Sequence, residues 1–135
     1  MKKVEIRRID KKGLDEALIL SWQVFLKYEA PEYPKEGIDE FYRSIHDERY
    51  LSNLTMFVAY YDGKLVGVIA IRPGKGHIAL FFIDDKFQHR GLGKQLFSYA
   101  IQGMSTNRIT VNSSPFAVPI YHKLGFVDTD KEKNS

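Results

Sequence analysis

The apolar run Ile78-Ala79-Leu80-Phe81-Phe82-Ile83 leads into Gln88-His89-Arg90-Gly91-Leu92-Gly93-Lys94, and Leu96, Phe97, Ala100 and Ile101 then recur at helical spacing. The run reads as a buried strand and the later pattern as a helix. Two glycines therefore sit in a strand-to-helix turn, with Lys94 just inside the helix. Glycine lacks a Cβ, so its backbone N–H can approach an anion closely. A helix N-terminus adds unpaired donors and a partial positive charge. Together they describe a cradle for a pyrophosphate. A Walker loop is excluded, because one residue separates the glycines and Gln95 follows Lys94. A Rossmann fingerprint is excluded too. Leu96 stands where a third small residue belongs, and the region Thr110 to Ser114 supplies no acidic residue.

The rest of the chain frames this unit. Val4 to Ile9 alternates apolar and charged residues, a first strand. Leu14, Ala17, Leu18, Ser21, Trp22 and Phe25 define an amphipathic helix, with Asp15 and Glu16 in its first turn. The prolines of Tyr28-Glu29-Ala30-Pro31-Glu32-Tyr33-Pro34 break it. Ile38, Phe41, Tyr42 and Ile45 mark a second helix. Thr55 to Tyr61, Asp62-Gly63 and Lys64 to Ile71 form a hairpin with a type I′ turn. Arg72 to Gly76 reverses the chain into the strand His77 to Ile83. The third helix runs to about Met104, Arg108 to Val111 is a short strand, and a fourth helix starting near Phe116 ends at Leu124, with Gly125 as its cap. Phe126 to Asp128 is a further strand candidate.

Ser113-Ser114-Pro115-Phe116-Ala117-Val118-Pro119-Ile120-Tyr121-His122-Lys123-Leu124-Gly125-Phe126 fits an A-x-x-x-Y-x-x-x-G-F pattern. With the Q-x-x-G-x-G turn before it, the chain resembles the GNAT family of N-acetyltransferases, from about Val4 to Phe126. The resemblance implies an α/β (α+β) fold. Its central sheet is mostly antiparallel, with a splayed parallel strand pair flanked by about four helices. It also implies acetyl-CoA as acyl-donor cosubstrate, held in the splay, and direct transfer of the acetyl group to a primary amine. Residues 1–135 are expected to form a single such domain.

The same resemblance implies roles for individual residues. Tyr121 would protonate the departing thiolate; a phenol is neutral at pH 7 and can donate to sulfur. The position of the general base falls on His77, whose alternative is an exposed histidine at the strand start. Backbone groups near Phe82 and Ile83 would hold the thioester carbonyl. Gln88, His89, Arg90, Gly91, Leu92, Gly93 and Lys94 would hold the pyrophosphate. Ser114, where the family often has Asn, and nearby Asn112 would meet the pantetheine arm or cap the following helix. The segment with Tyr28, Glu29, Glu32, Tyr33 and Glu36 would overhang the acceptor, with Tyr28, Glu29 and Tyr33 as binding residues; its alternative is a solvated charged loop. Lys86 and Lys123 are either phosphate ligands or surface charge, and His122 is a surface residue.

Composition narrows the rivals. The 135 residues are 44% hydrophobic, enough for one core. No cysteine is present, which removes disulfides, thiolate metal sites and a cysteine nucleophile; no metal is expected. The start lacks a secretory h-region, so a cytoplasmic protein without a membrane partner is expected. A net charge of +3 is too mild to argue for nucleic acid. A non-catalytic acyl-CoA-binding or regulatory module on the same fold is the competing function. The family's final strand has no apolar counterpart after Asp128. The expectation is that no strand of this chain occupies that position, and that the open edge near Ile109 and Val111 favours a homodimer. The acceptor amine stays unnamed.

Overall fold

The computed structural model describes residues 4–9, 11–72, 74, 76–88, 90–102 and 109–111. Five strands form one sheet in the order β1-β2-β3-β4-β5: Val4–Arg8, Thr55–Tyr61, Lys64–Arg72, His77–Ile83 and Thr110–Val111. The first four are antiparallel in sequence order, and β5 pairs parallel to β4. Four α-helices accompany them among the described residues: α1 Lys11–Val24, α2 Lys35–Ile45, α3 Glu48–Ser52 and α4 Leu92–Ile101. None of these is long and apolar enough to cross a membrane.

The sheet separates two cores. One face carries Met56, Val58, Leu65, Val68, Ala70, Leu80 and Phe82 against Ala17, Leu20, Val24 and Phe25 of the α1 segment and Ile45 of α2. The other carries Ala59, Val66, Ile69, Ile71 and Ile78 against Leu92, Leu96, Phe97 and Ala100 of α4. A strand buried on both faces cannot alternate polar with apolar residues, which is why β3 and β4 are nearly continuous apolar runs. Phe25 and Phe41 stack at 4.0 Å between ring centroids, and Phe82 meets Phe41 edge-on at 5.9 Å. This aromatic column fixes the α1 segment and α2 over the end of β4.

The Asp62-Gly63 turn adopts positive φ at both positions, 53° and 84°, as a type I′ hairpin requires. Two irregularities interrupt the ladders. Ala59 pairs with Gly67 and Tyr60 with Leu65, so Val66 is an extra residue in β3. Ala70 pairs with Leu80 and Ile71 with Ile78, so Ala79 is an extra residue in β4. Each is a β-bulge, which bends its strand and raises its twist.

The helical layer differs from the expectation in three places. Helix α1 begins at Lys11, about a turn early, so Asp15 and Glu16 are not in its first turn. The chain does not break at Tyr28. It continues through a π-helical turn, Phe25–Glu29, and a 3-10 turn, Ala30–Glu32. Pro31 is tolerated because it sits in the first turn of that 3-10 segment, where no N–H is needed. The break comes at Tyr33, extended at φ −113° and ψ 147° before Pro34. Helix α3 was not expected; it is too short for a periodic signal, and Asp47 caps it by accepting from Arg49 N at 2.9 Å. The fourth helix, the Phe126 to Asp128 strand and the open final-strand position lie outside the described residues.

Candidate functional site

The candidate site lies along β4 beyond its described pairs with β5. The parallel pairing covers His77 with Thr110 and Ile78 with Val111 among the described residues, and the extra residue Ala79 comes next. Beyond it the register fixes which backbone groups face which way. Asp84 N donates to Val66 O at 2.7 Å, and Phe82 pairs with Val68 in the same frame. Antiparallel pairs alternate between bonded and non-bonded. Phe82 and Leu80 therefore spend their backbone groups on β3, while Phe81 and Ile83 turn theirs toward the β5 side. Of the two residues expected to hold a carbonyl, the frame corrects Phe82: its N–H is committed to β3, and its ring lies in the α1-side core. Phe81 and Ile83 are the two whose backbone faces away from β3. A continuous apolar run carries no mark of this parity, so the sequence alone could not choose.

The phosphate turn follows. Asp84 closes a 3-10 turn, Asp85–Phe87, by accepting from Lys86 N at 2.9 Å with its side chain and from Phe87 N at 2.8 Å with its carbonyl. The Gln88 side chain reaches back, its Nε2 donating to Ile83 O at 3.1 Å. Gln88 thus braces the strand end. Arg90 lies over the Phe87 ring, 5.3 Å from its centroid, and is exposed. Gly91 is the N-cap of α4 at φ 82° and ψ 0°. It brings no capping side chain, and its carbonyl accepts from Gln95 N at 3.1 Å. The N–H groups of Leu92, Gly93 and Lys94 stand at the open end of the helix. No acidic residue occupies the first turn. A Cβ placed on Gly91 would meet nothing within 4 Å, so the turn is open on that side. Leu92 is buried and anchors the turn, and Lys94 is exposed. A pyrophosphate suits these donors in charge and access. His89, Asn112, Ser114 and Tyr121 lie outside the described residues.

On the α1 side, Tyr28 is engaged by the turn after β4. Its hydroxyl and the Lys27 ammonium both donate to the carboxylate of Asp85. This clasp ties the π-helical turn to the turn that starts the phosphate loop, and no short-range pattern announced it. Tyr33 packs edge-on against Phe25 at 5.5 Å. Burial raises its phenol pKa above the ordinary 10.0, and the charges of Glu29 and Glu32 raise it further. Tyr33 and Glu29 thus share one negative neighbourhood, although Tyr28 has been drawn into the clasp. His77 is half-buried on the α1 face of the sheet, since its neighbour Ile78 belongs to the α4-side core. Its Nδ1 lies 2.9 Å from Thr110 Oγ1. No group of three or more potential metal ligands occurs among the described residues.

Known proteins share this architecture. The PaiA N-acetyltransferase of Thermoplasma acidophilum, solved in complex with coenzyme A, superposes with a TM-score of 0.75 at 19% identity, covering 95% of this chain and 92% of that one. YjaB of Escherichia coli, solved in its apo form, gives a TM-score of 0.74 at 21% identity, covering 94% and 84%. At these identities the likeness establishes the fold. Among curated proteins, an N-alpha-acetyltransferase MAK3 of Arabidopsis thaliana is 29% identical over 90 residues, which span 58% of this chain and 47% of that protein. The chain therefore spans about half the length of this curated relative. The family model described as an acetyltransferase (GNAT) domain matches residues 29–135, from the π-helical turn through the phosphate turn to the C-terminus, and the chain belongs to that family.

Proposed function

We propose that residues 1–135 form one acetyltransferase domain that passes the acetyl group of acetyl-CoA directly to a primary amine. The observation that carries this reading is the frame of β4. Just past the last described pair with β5, the strand bulges and turns the backbone of Phe81 and Ile83 away from β3, and Gly93 in the first turn of α4 packs beside the side chains of the same two residues.

Acetyl-CoA supplies the thioester carbon that the amine attacks. The N–H groups of Leu92, Gly93 and Lys94, with Arg90, Lys94 and His89 as countercharges, hold the pyrophosphate. Backbone N–H of Phe81 or Ile83 receives the charge that develops on the carbonyl oxygen. Asn112 and Ser114 would meet the pantetheine arm, as the family resemblance implies. His77 accepts the proton that the amine nitrogen loses as its C–N bond forms. The Tyr121 hydroxyl gives its proton to the sulfur as the C–S bond breaks, and solvent restores both groups. Positioning and preorganised dipoles supply most of the acceleration, with acid–base help of ~10²–10⁴-fold. Glu29 and Glu32, whose negative field also raises the Tyr33 pKa, favour a cationic acceptor beside the neutral Tyr33 phenol, since that field attracts amines and repels acids.

The test is thiol release. Purified protein is given acetyl-CoA with spermidine, kanamycin or an unblocked peptide, and free CoA is followed. Thiol release that depends on the amine supports the enzyme. Acetyl-CoA binding without thiol release from a broad amine panel would favour the non-catalytic acyl-CoA module instead.

A further inference from the structure

We propose that Thr110 is a positioning residue that sets the tautomer of His77: its hydroxyl oxygen accepts from Nδ1–H and so puts the imidazole lone pair on Nε2. The inference rests on the reading of His77 as general base.

The two residues face each other across the parallel pair, with Nδ1 and Oγ1 2.9 Å apart. Neighbouring parallel partners share a sheet face, so both project toward the α1 side. The contact is held by the backbone, because Thr110 N donates to Gly76 O at 3.0 Å and locks the register one residue before His77. A β-branched residue in a strand has a restricted χ1, which keeps the hydroxyl in place.

A neutral imidazole carries one N–H and one lone pair, whereas imidazolium carries two N–H groups. A hydroxyl can serve either nitrogen state. Only one arrangement survives proton transfer without rearrangement: Nδ1–H donates to Oγ1 before, during and after Nε2 takes a proton. The same bond strengthens when the ring is charged. Thr110 thereby orients the ring, selects the tautomer and stabilises the conjugate acid.

Across the antiparallel pair, a cation on another strand stands opposite His77. Arg72 of β3 is its direct cross-strand partner, and the Arg72 guanidinium lies over the Tyr50 ring of α3, 5.8 Å from its centroid. Burial raises the Tyr50 pKa and Arg72 opposes that rise, so the phenol stays neutral near pH 7. The Nδ1–H bond to Thr110 acts at the ring itself, and it persists when the imidazole takes a proton on Nε2.

The experiment reads the ring directly in ligand-free protein. Side-chain ¹⁵N NMR of the histidines, with His77 assigned by loss of its signals in His77→Gln, reports tautomer and pKa. The wild type is expected to carry its proton on Nδ1. Thr110→Val, which keeps the β-branch but removes the oxygen, should mix the tautomers. It should also lower the His77 pKa by about one unit, a tenfold change in proton affinity. Thr110→Ser should restore both. A wild-type ring protonated on Nε2 overturns the inference without any variant. So does a Thr110→Val protein, folded by its melting curve, whose tautomer and titration match the wild type. Thiol release by His77→Gln with the same three amines separates the two levels. If it proceeds at the wild-type rate, the base reading falls and this inference with it. If it is lost while Thr110→Val leaves the ring unchanged, His77 remains the base and only the role of Thr110 is refuted.

Discussion

The two glycines of the phosphate turn should respond in opposite directions to the same methyl group. Gly91 holds φ 82°, where an L-residue is strained, but its Cβ would meet nothing within 4 Å. Alanine there costs the left-handed penalty of roughly 1–2 kcal/mol and little else. Gly93 lies inside α4 without a positive φ, and its Cβ would rest in ordinary contact with Phe81 Cζ at 3.7 Å and Ile83 Cγ1 at 3.9 Å. Alanine there gains helix propensity, up to about 1 kcal/mol. At about 2.1 cal/mol/K of unfolding entropy per residue, a chain of this length shifts by about 3–4 °C per kcal/mol. Gly91→Ala is thus expected to lower Tm by about 3–8 °C and Gly93→Ala to raise it by up to about 4 °C. Acetyl-CoA affinity, read by calorimetric titration, should fall in Gly91→Ala, because relief of the strain swings the cradle N–H groups away. It should hold in Gly93→Ala, whose methyl points at the sheet. Differential scanning calorimetry of both variants checks the stability arm. Equal shifts of the same sign, or a Gly91→Ala protein as stable as the wild type, would refute the conformational argument.

Other consequences can be measured alongside. A Cβ at Gly67 would lie 2.9 Å from Ile83 Cδ1 and 3.3 Å from Leu96 Cδ2, so Gly67→Ala should overpack the α4 face and cost about 1–3 kcal/mol in denaturant titration. Tyr121→Phe should reduce turnover by ~10²-fold or more with acetyl-CoA binding unchanged, and unchanged turnover would make Tyr121 a packing residue. The Tyr33 pKa is raised in the fold, so its contribution is intact below pH 10 and is lost as pH climbs through the higher folded value. Tyr33→Phe should therefore flatten the alkaline loss of stability, and identical profiles above pH 10 would remove that assignment. Saturating acetyl-CoA, at about 100 times its dissociation constant, should stabilise the fold by ~2.7 kcal/mol, and no rise in Tm would contradict the cradle.

Much of the architecture was legible because the chain punctuates itself. Asp62-Gly63 could hardly be anything but a tight hairpin, and its two positive φ angles follow from those residue types. Gly91 announced a turn, and the helix after it showed a clean apolar period. Legibility failed where information is not local. The apolar run 78–83 is equally compatible with either backbone parity, and only pairing with β3 decides that Phe81 and not Phe82 faces β5. Tyr28 reads from sequence as an acceptor-binding residue and Lys27 draws no reading, because their partner, Asp85, is far away in sequence. Gly67 hid within a strand: its purpose is visible only when Leu96 and Ile83 are seen closing on its missing side chain. Of Pro31 and Pro34, only Pro34 ends the helical path, at Tyr33 before it, whereas Pro31 sits inside the first turn of a short 3-10 segment.

The extra residue in β4 has a mechanical meaning. Between the pairs Gly67–Ile83 and Arg72–His77, six residues of β3 run alongside seven of β4. At about 3.4 Å per residue, one ribbon is longer than its neighbour by a full residue while both are riveted at the same two places. Like the two metals of a thermostat strip, ribbons of unequal length cannot both lie straight, and the longer one bows. Ala79 marks where the slack is taken up, immediately after the last described rung to β5. The splay that the family resemblance implies between β4 and β5 would then be written into the chain as a difference in count, a dimension that side-chain substitution cannot erase. Removing Ala79 alone would let the ribbons match and draw β4 straight, with Leu80 through Ile83 keeping their faces. Such a protein should remain folded with both cores intact, and yet have nowhere to seat a thioester.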